Sequence, residues 1–208
     1  MIFDFHHHHK SFIYRGIYNR GVGEFFSSSP YSIGLHPHDI KQNWKKQMKQ
    51  VYEISKQNTC IALGECGLDA LAPTSNGEQI KVFEAHITQA EALKKPIIIH
   101  CVRRHHEVMN ICKDLCIPKI IHGFNKKDRI AELLLSHGFY LSFGASLMNS
   151  ISLQTIFKNL PEESFVLETD TAHLDIQILY EKAAQLRGVS VGDLEYMIDN
   201  NLKNIFGW

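Results

Sequence analysis

The chain lacks a charge surplus, a cysteine framework and any long apolar run, and each absence removes a class of function. Lys plus Arg equals Asp plus Glu at 22 each in 208 residues, so no global positive field is available to hold a long polyanion by counterion release. A nucleic-acid substrate would have to be gripped locally. The five cysteines, at 60, 66, 101, 112 and 116, are odd in number and form no CxxC pair. That argues against a disulfide framework or a thiolate zinc finger and fits a reducing cytoplasm. No stretch approaches the ~20 apolar residues of a membrane span, and no basic region leads into an apolar stretch at the N-terminus, so a soluble, cytoplasmic protein is expected. Internal repeats and low-complexity tracts are absent too, and the Ser27, Ser28, Ser29, Pro30 cluster reads as a surface loop. With 44% hydrophobic and 21% charged residues, 1–208 is expected to fold as a single domain.

What the sequence does have is five short apolar runs, each stopping on a residue that binds metal: IFDFHHHH (2–9), IALGE (61–65), PIIIHC (96–101), KIIHG (119–123) and FVLETD (165–170). A run of this kind is the sequence form of a buried parallel strand, and barrel enzymes carry their working residues where such strands end. Strands are expected at 2–5, 31–35, 61–65, 97–101, 119–122, 139–143 and 165–168, with 12–18 a weaker eighth. Helical patterns alternate with them at 43–56, 77–94, 104–115, 127–136, 175–186 and 191–205. In the second of these Ile80, Phe83, Ile87, Ala90 and Leu93 recur at helical spacing before Pro96. Alternation of strand and helix predicts an α/β fold with a parallel sheet, because a parallel return needs a crossover long enough to be a helix. A (β/α)8 barrel usually takes ~250 residues and rarely fewer than ~200. The expectation is therefore a trimmed barrel, with a hairpin replacing one βα unit near residues 11–35, or an incompletely closed one.

Side chains alternate along a strand, so His6 and His8 face one side together with Asp4, and His7 and His9 face the other. Two imidazoles at that spacing can grip one ion. The bare HHHH run also resembles part of an expression tag, but an apolar strand precedes it and further ligands follow downstream. Glu65 ends IALGE, where a buried carboxylate costs several kcal/mol unless a cation or donors compensate it, and this makes it a candidate bridging ligand. The bland alternative is a helix cap or a solvated loop carboxylate. Asp69 reads as a loop-orienting residue. His100 and His122 would each, alone, be ordinary hydrogen-bonded core histidines, but their joint position at strand ends makes them ligand candidates. Asp170 is preferred to Glu168 as the last acidic ligand and as the base, because it falls at the loop edge where water is reached. His36 and His38 flank Pro37, which suggests an extended turn presenting two donors to substrate, although a plain turn is equally compatible. Arg103 and Arg104 are candidate planar donors to a phosphate, with a surface role the alternative. His86 and His137 are read as helix or turn residues.

Taken in order, DFHHH (4–8), GLHPHD (34–39), GECGLD (64–69), IIIH with Arg103 (97–103), IIHGF (120–124) and LETD (167–170) resemble the TatD family of metal-dependent hydrolases over nearly the whole chain. The resemblance implies a TIM-type barrel of the metallo-dependent hydrolase superfamily and divalent-metal hydrolysis of phosphodiesters, commonly as a deoxyribonuclease. It assigns His6 and His8 to one metal with Asp170, Glu65 to the bridge, and His100 with His122 to a second metal. Three motifs depart from the family pattern: Cys, Val, Arg103, Arg104 follow His100 where HxR and Asp are common, HGFNK stands for HCFSG, and LETDTAHL lacks the usual proline. The chain is also shorter than typical members.

The expected chemistry is hydrolysis with one or two divalent ions. Mixed imidazole and carboxylate donors favour zinc, manganese or cobalt over magnesium. Asp170 would orient or deprotonate water, with Glu65 beside the metals, while His36, His38 and Arg103 hold the phosphate of DNA or of a smaller phosphodiester. Neither a membrane nor an obligate protein partner is expected. Two alternatives carry different expectations. An amidohydrolase-type C–N or lactone hydrolase would often bridge its metals with a modified lysine, and no lysine ends the relevant strands. A non-catalytic metal-binding or interaction protein would have been free to lose ligand positions, yet all six are filled.

Overall fold

The computed structural model describes residues 1–10, 15–24 and 30–208. Its strands are β1 (Phe3–His7), β2 (Arg15–Arg20), β3 (Tyr31–Ile33), β4 (Cys60–Asp69), β5 (Ile97–Val102), β6 (Lys119–Ile121), β7 (Phe139–Phe143) and β8 (Phe165–Leu167). Its helices are α1 (Trp44–Ser55), α2 (Asn76–Leu93), α3 (His105–Cys112), α4 (Asp128–Ser136), α5 (Ile151–Asn159), α6 (Ile176–Arg187) and α7 (Val191–Phe206). The expected elements are present with shifted ends, and α5 is an addition. The weak strand expected at 12–18 is found at Arg15–Arg20, its first three expected residues and the serines 27–29 lying outside the described residues. Contacts gather into two compact units, one of Met1–Ile17 with His122–Trp208, the other Tyr18–Ile121.

In the unit Tyr18–Ile121 the strands from β2 to β6 pair in chain order, each parallel to the next. Among the described residues of 11–35 the pairing is not the expected hairpin but parallel, Tyr18, Asn19 and Arg20 lying against Tyr31, Ser32 and Ile33. Local bonds turn the chain away from β2. Arg20 donates from Nε and Nη2 to the Glu24 carbonyl at 3.1 and 2.7 Å, and Tyr18 Oη donates to Glu24 Oε2 at 2.9 Å. Ile97, Ile98 and Ile99 of β5 are all fully buried, as a strand covered on both faces requires. Helix α2 begins at Ser75, whose Oγ accepts from Glu78 N, and stops at Lys94 in the left-handed region just before Pro96.

Strand β4 does not end at Glu65 as expected but runs on to Asp69, because a bulge absorbs the acidic residue. Leu63 pairs with Ile97 and Cys66 with Ile99, so β4 spends one residue more than β5 over the same span. The glycines around Glu65 allow this. A Cβ on Gly64 would meet Ile98 O at 2.3 Å, and one on Gly67 would meet His100 O at 2.1 Å, with φ of 126° and 146° respectively.

In the other unit β7 pairs in parallel with β8, and a parallel bridge joins His7 of β1 to Asp170 just beyond β8. Tyr180 of α6 pins the start of β1, its hydroxyl donating to Phe3 O at 2.9 Å and accepting from Phe3 N at 3.2 Å. Phe124, Phe143, Phe157 and Phe165 form an edge-to-face chain with successive ring centroids 5.5, 5.1 and 4.8 Å apart, each contact worth about 0.5–1.5 kcal/mol beyond burial. Helix α5 supplies one of these rings. Buried Asn201 of α7 donates to Glu162 O and Phe165 O at 2.7 and 2.8 Å, which satisfies the backbone where β8 starts.

The bulge yields a stability prediction. Gly67→Ala forces a methyl onto the His100 carbonyl and should cost about 3 kcal/mol or more, visible as a lower midpoint in urea unfolding. A midpoint equal to that of the parent protein would contradict the close approach.

Candidate metal centre

The unit of Met1–Ile17 with His122–Trp208 gathers one group of donors. Alternation along β1 turns His6 and His8 to one side with rings 5.3 Å apart, and His7 and His9 to the other with parallel rings 6.3 Å apart, as expected. Backbone bonds fasten Asp170 to this strand: its N–H donates to His6 O at 2.9 Å and its carbonyl accepts from His8 N at 3.1 Å. Asp170 holds a left-handed φ of 52°, a conformation that aspartate tolerates better than most residues. Its Oδ1 lies 3.5 Å from His8 Nε2 and 3.9 Å from His6 Nε2, and the ring of His122 is 4.8 Å from that of His6. His6, His122 and Asp170 each offer a ligand atom, and these atoms lie within 4.8 Å of one another.

Beneath this group is Glu168, which the sequence reading ranked below Asp170. The two carboxylates divide the work: Asp170 is partly exposed, whereas Glu168 is fully buried and held on all sides. Glu168 Oε1 accepts from Gly123 N at 2.6 Å and lies 3.5 Å from His122 Nδ1, while Oε2 accepts from the Ser142 hydroxyl. Burial, the largest influence, raises its pKa. The bond and charge of His122, the charge of His6 and the Ser142 hydroxyl outweigh it and hold the carboxyl below its usual range. Asp4 shows the opposite balance. Burial pushes it up to about 7 even though Thr169 donates to it from N at 2.9 Å and from Oγ1 at 2.6 Å.

The unit Tyr18–Ile121 gathers a second group around Glu65. The bulge aims Glu65 so that Oε1 lies 2.8 Å from His100 Nδ1 and 3.3 Å from His36 Nε2, and Oε2 accepts from Asn19 Nδ2 at 3.1 Å. His36, Glu65 and His100 offer ligand atoms within 4.8 Å of one another. Asp69 sits behind them: Oδ2 is 3.0 Å from His100 Nε2 and 3.1 Å from His38 Nε2, and Oδ1 accepts from Leu71 N at 2.7 Å. Burial again tends to raise its pKa, but the Leu71 amide and the two histidines bring it below the usual value. Gln79 of α2 fixes the Asp69 backbone from both sides, accepting from its N–H at 2.8 Å and donating to its carbonyl at 3.0 Å.

The sequence model of the TatD related DNase family matches residues 22–207. The chain belongs to that family. An uncharacterized metal-dependent hydrolase of Buchnera aphidicola is 33% identical over 150 residues, which cover 69% of this chain and 56% of that protein. The aligned stretch thus spans little more than half of that relative. The 3'-5' ssDNA/RNA exonuclease TatD of Escherichia coli K12 is 25% identical over 206 residues, covering 88% of this chain and 79% of that one. Among solved structures, the TatD homolog YJJV of Escherichia coli K12 superposes with a TM-score of 0.77 at 19% identity, over 93% of this chain and 86% of that chain. A TatD family hydrolase from Entamoeba histolytica gives 0.71 at 15%, over 86% and 75%. Together these establish an α/β fold of the TIM-barrel type found in metallo-dependent hydrolases.

The TatD motifs fall into the two groups as follows. His6, His8, His122 and Asp170 stand in one unit, and Glu65, His100, His36 and His38 in the other. His122, which the resemblance pairs with His100, groups with His6 and Asp170. Pro37 does not hold an extended turn but opens a 3₁₀ turn, Pro37–Asp39, in which His36 Nδ1 accepts from His38 N. A neutral His36 therefore carries its proton on Nε2, toward Glu65, and acts as a donor. Arg103 is exposed with φ of 59° and makes no hydrogen bond or ion pair among the described residues. Arg104 is committed elsewhere, bound to Glu107 and Asn76 at the starts of α3 and α2.

A divalent cation fits these donor sets. A neutral imidazole has one N–H, yet His100 faces a carboxylate oxygen with each ring nitrogen. Glu65 and His100 would hold a cation here, and with Nε2–H donating to Asp69 both ring nitrogens of His100 would be satisfied, the usual second-shell support of a ligating histidine.

His86 is the residue sequence reasoning passed over. Its Nδ1 donates to Val82 O at 2.8 Å and its Nε2 accepts from Leu35 N at 2.9 Å, so a buried ring on α2 holds the segment that carries His36 and His38. A polar residue on the buried face of an otherwise apolar helix was the available signal.

Two outcomes are expected. Asp69→Ala should weaken zinc binding by about 10- to 100-fold in calorimetric titration, because His100 loses its orienting carboxylate. Burial lowers the pKa of His86 from 6.5 to about 4. The unfolded chain then takes up a proton that the folded one refuses, and stability present above pH 6.5 is lost as pH falls toward 4. The loss is about 3 kcal/mol at 1.36 kcal/mol per unit. Urea unfolding of the parent protein and of His86→Leu across pH 4–7 checks it, the variant showing a flatter profile.

Proposed function

We propose that the chain hydrolyses phosphodiester bonds of DNA or of a smaller phosphodiester, with one or two divalent cations held by its imidazole and carboxylate groups. The observation that carries this reading is the convergence of His6, His122 and Asp170 at strand ends of one unit, in a chain of the TatD related DNase family. The Escherichia coli relative named as a single-strand DNA and RNA exonuclease supports a nucleic-acid substrate. His6, His8, His122 and Asp170 would hold one cation; Glu65 and His100 would supply ligands for another. The donor mixture suits zinc, manganese or cobalt better than magnesium. Such an ion supplies Lewis acidity toward a phosphoryl oxygen and lowers the pKa of water from 15.7 to about 7.

The residues around the ions then have separate tasks. Asp170, partly exposed and fixed by backbone bonds to β1, accepts the proton of the attacking water on its carboxylate. Glu168 stays ionised in its cradle and orients His122. His36 donates toward Glu65 and fixes its carboxylate, His38 is held by Asp69 through its Nε2, and the exposed Arg103 remains available to phosphate oxygens. The amidohydrolase alternative finds no bridging lysine. Lys119, the buried lysine, opens β6 and donates its Nζ to Leu115 O.

The test uses protein stripped with chelator and reloaded with zinc or manganese, assayed on a single-stranded oligonucleotide. Asp170→Asn should lower kcat by about 10²- to 10⁴-fold with little change in KM. Folded Glu65→Ala and His122→Ala variants that kept full metal-dependent activity would sink the reading.

A further inference from the structure

A cleft of about 240 Å3 opens directly against Asp170, walled by residues 123–125, 144–146 and 168–172. Whatever fills it lies beside the carboxylate that takes the water's proton. Lysine, arginine and histidine are all missing from its walls, so it offers no positive charge to a phosphate. Gly123, Gly144 and Ala145 leave a slot with no bulky side chain in it. An amide and a hydroxyl, Asn125 and Ser146, stand in its wall, where Asn125 Nδ2 donates to Ser146 Oγ at 3.3 Å and the second amide hydrogen and the Oδ1 are left for a ligand. An amide offers a donor and an acceptor together, which is the pairing that a base edge presents in complement.

The way a base could be recognised here is constrained. Sequence-tolerant binding of single strands relies on exposed aromatic faces. Phe124, the aromatic residue in the wall, is 2% exposed and packs edge-on to Phe143 at 5.5 Å, so it presents no such face. Hydrogen bonds must do the work, and hydrogen bonds discriminate between bases. A second cavity, of about 260 Å3, shares Asn125 and adds Lys126, Lys127, Ser150 and Ser152. Lys126 and Lys127 thus line a cavity that shares Asn125 but not Asp170, and they supply the positive charge that a neighbouring phosphate of a chain would need.

We infer that the cleft beside Asp170 is a subsite for one nucleoside of the substrate, and that Asn125 and Ser146 determine which nucleoside it accepts. The inference rests on the phosphodiesterase reading and names what sits next to the cleaved bond. Asn125 occupies the fourth place of a motif that departs from the family pattern, HGFNK, so the selectivity belongs to this chain's own residues.

The experiment measures dissociation constants of deoxyadenosine, deoxyguanosine, deoxycytidine and thymidine for the zinc-loaded full chain by ligand-observed NMR. These probes contain no phosphodiester and are not turned over. The constants should differ by about three- to tenfold between the best and the worst nucleoside, the equivalent of one hydrogen bond. Asn125→Ala and Ser146→Ala, both at exposed positions, should compress that spread to within about twofold, and Ala145→Leu should abolish binding by filling the slot. Equal constants for all four nucleosides, no binding at all, or an unchanged spread in both alanine variants would overturn the subsite. Hydrolysis of bis(p-nitrophenyl) phosphate by the same preparation reads the enzymatic proposal separately. Hydrolysis without nucleoside binding removes the subsite alone, and selective binding without hydrolysis removes the phosphodiesterase reading.

Discussion

Burying a carboxylate is the constraint on which both donor groups depend. An ionised carboxyl out of water is tolerated only when fixed N–H and O–H groups meet it, and the chain solves this twice with different residues. Glu168 is met by Gly123 N and the Ser142 hydroxyl beside His122; Asp69 is met by Leu71 N between His38 and His100. In both places burial works to raise the pKa and the donors more than reverse it. The result is the same device in each unit: an anion that cannot move, holding an imidazole that must not turn.

This arrangement accounts for the division between inner and outer acids. Glu168 and Asp69 each spend an oxygen on a backbone amide, Gly123 N and Leu71 N, while Asp170 Oδ1 and Glu65 Oε1 each lie within 3.9 Å of two imidazole nitrogens. Asp170 is placed by its backbone and not by its side chain, since the bonds to His6 and His8 run through its amide and carbonyl. Its carboxylate is thereby left to face the rings of His6 and His8. Glu65 is placed by the bulge in β4, and Asn19 locks it by pairing with both its backbone N–H and its Oε2. A loop would give neither residue that precision.

The sequence was most readable where a single pattern decided the outcome. The run Ile97, Ile98, Ile99 could only be a covered strand, and alternation alone separated His6 and His8 from His7 and His9. Helix α5 was not legible because Ile151, Ser152, Thr155 and Ile156 are weak helix formers. Its buried Leu153, Ile156 and Phe157 do keep helical spacing behind the Ser150 cap. The parallel pairing of β2 with β3 was hidden for another reason. It is accompanied by Arg20 and Tyr18 holding Glu24, contacts no periodicity reports. Among the site residues, the ligand candidates at strand ends were visible, whereas Ser142, Gln79 and His86 act through partners 10 to 51 positions away in sequence, a separation only folding resolves.

The glycines show why the motif GECGLD needs its spacing as well as its acids. Gly64 and Gly67 bracket Glu65 and Cys66, and each lets the β4 backbone touch β5 where a methyl group would overlap Ile98 O or His100 O. Close approach on both sides of the bulge leaves Glu65 one direction to point, toward the ring of His100, and lets Asp69 reach the other nitrogen of that ring. The two carboxylates are four residues apart in a strand that has gained one residue, so a single imidazole can be contacted at both ends. Without the bulge the alternation of the strand would set Glu65 and Asp69 on a common face at regular spacing, and the small residues are therefore as much a part of this donor arrangement as the acids they separate.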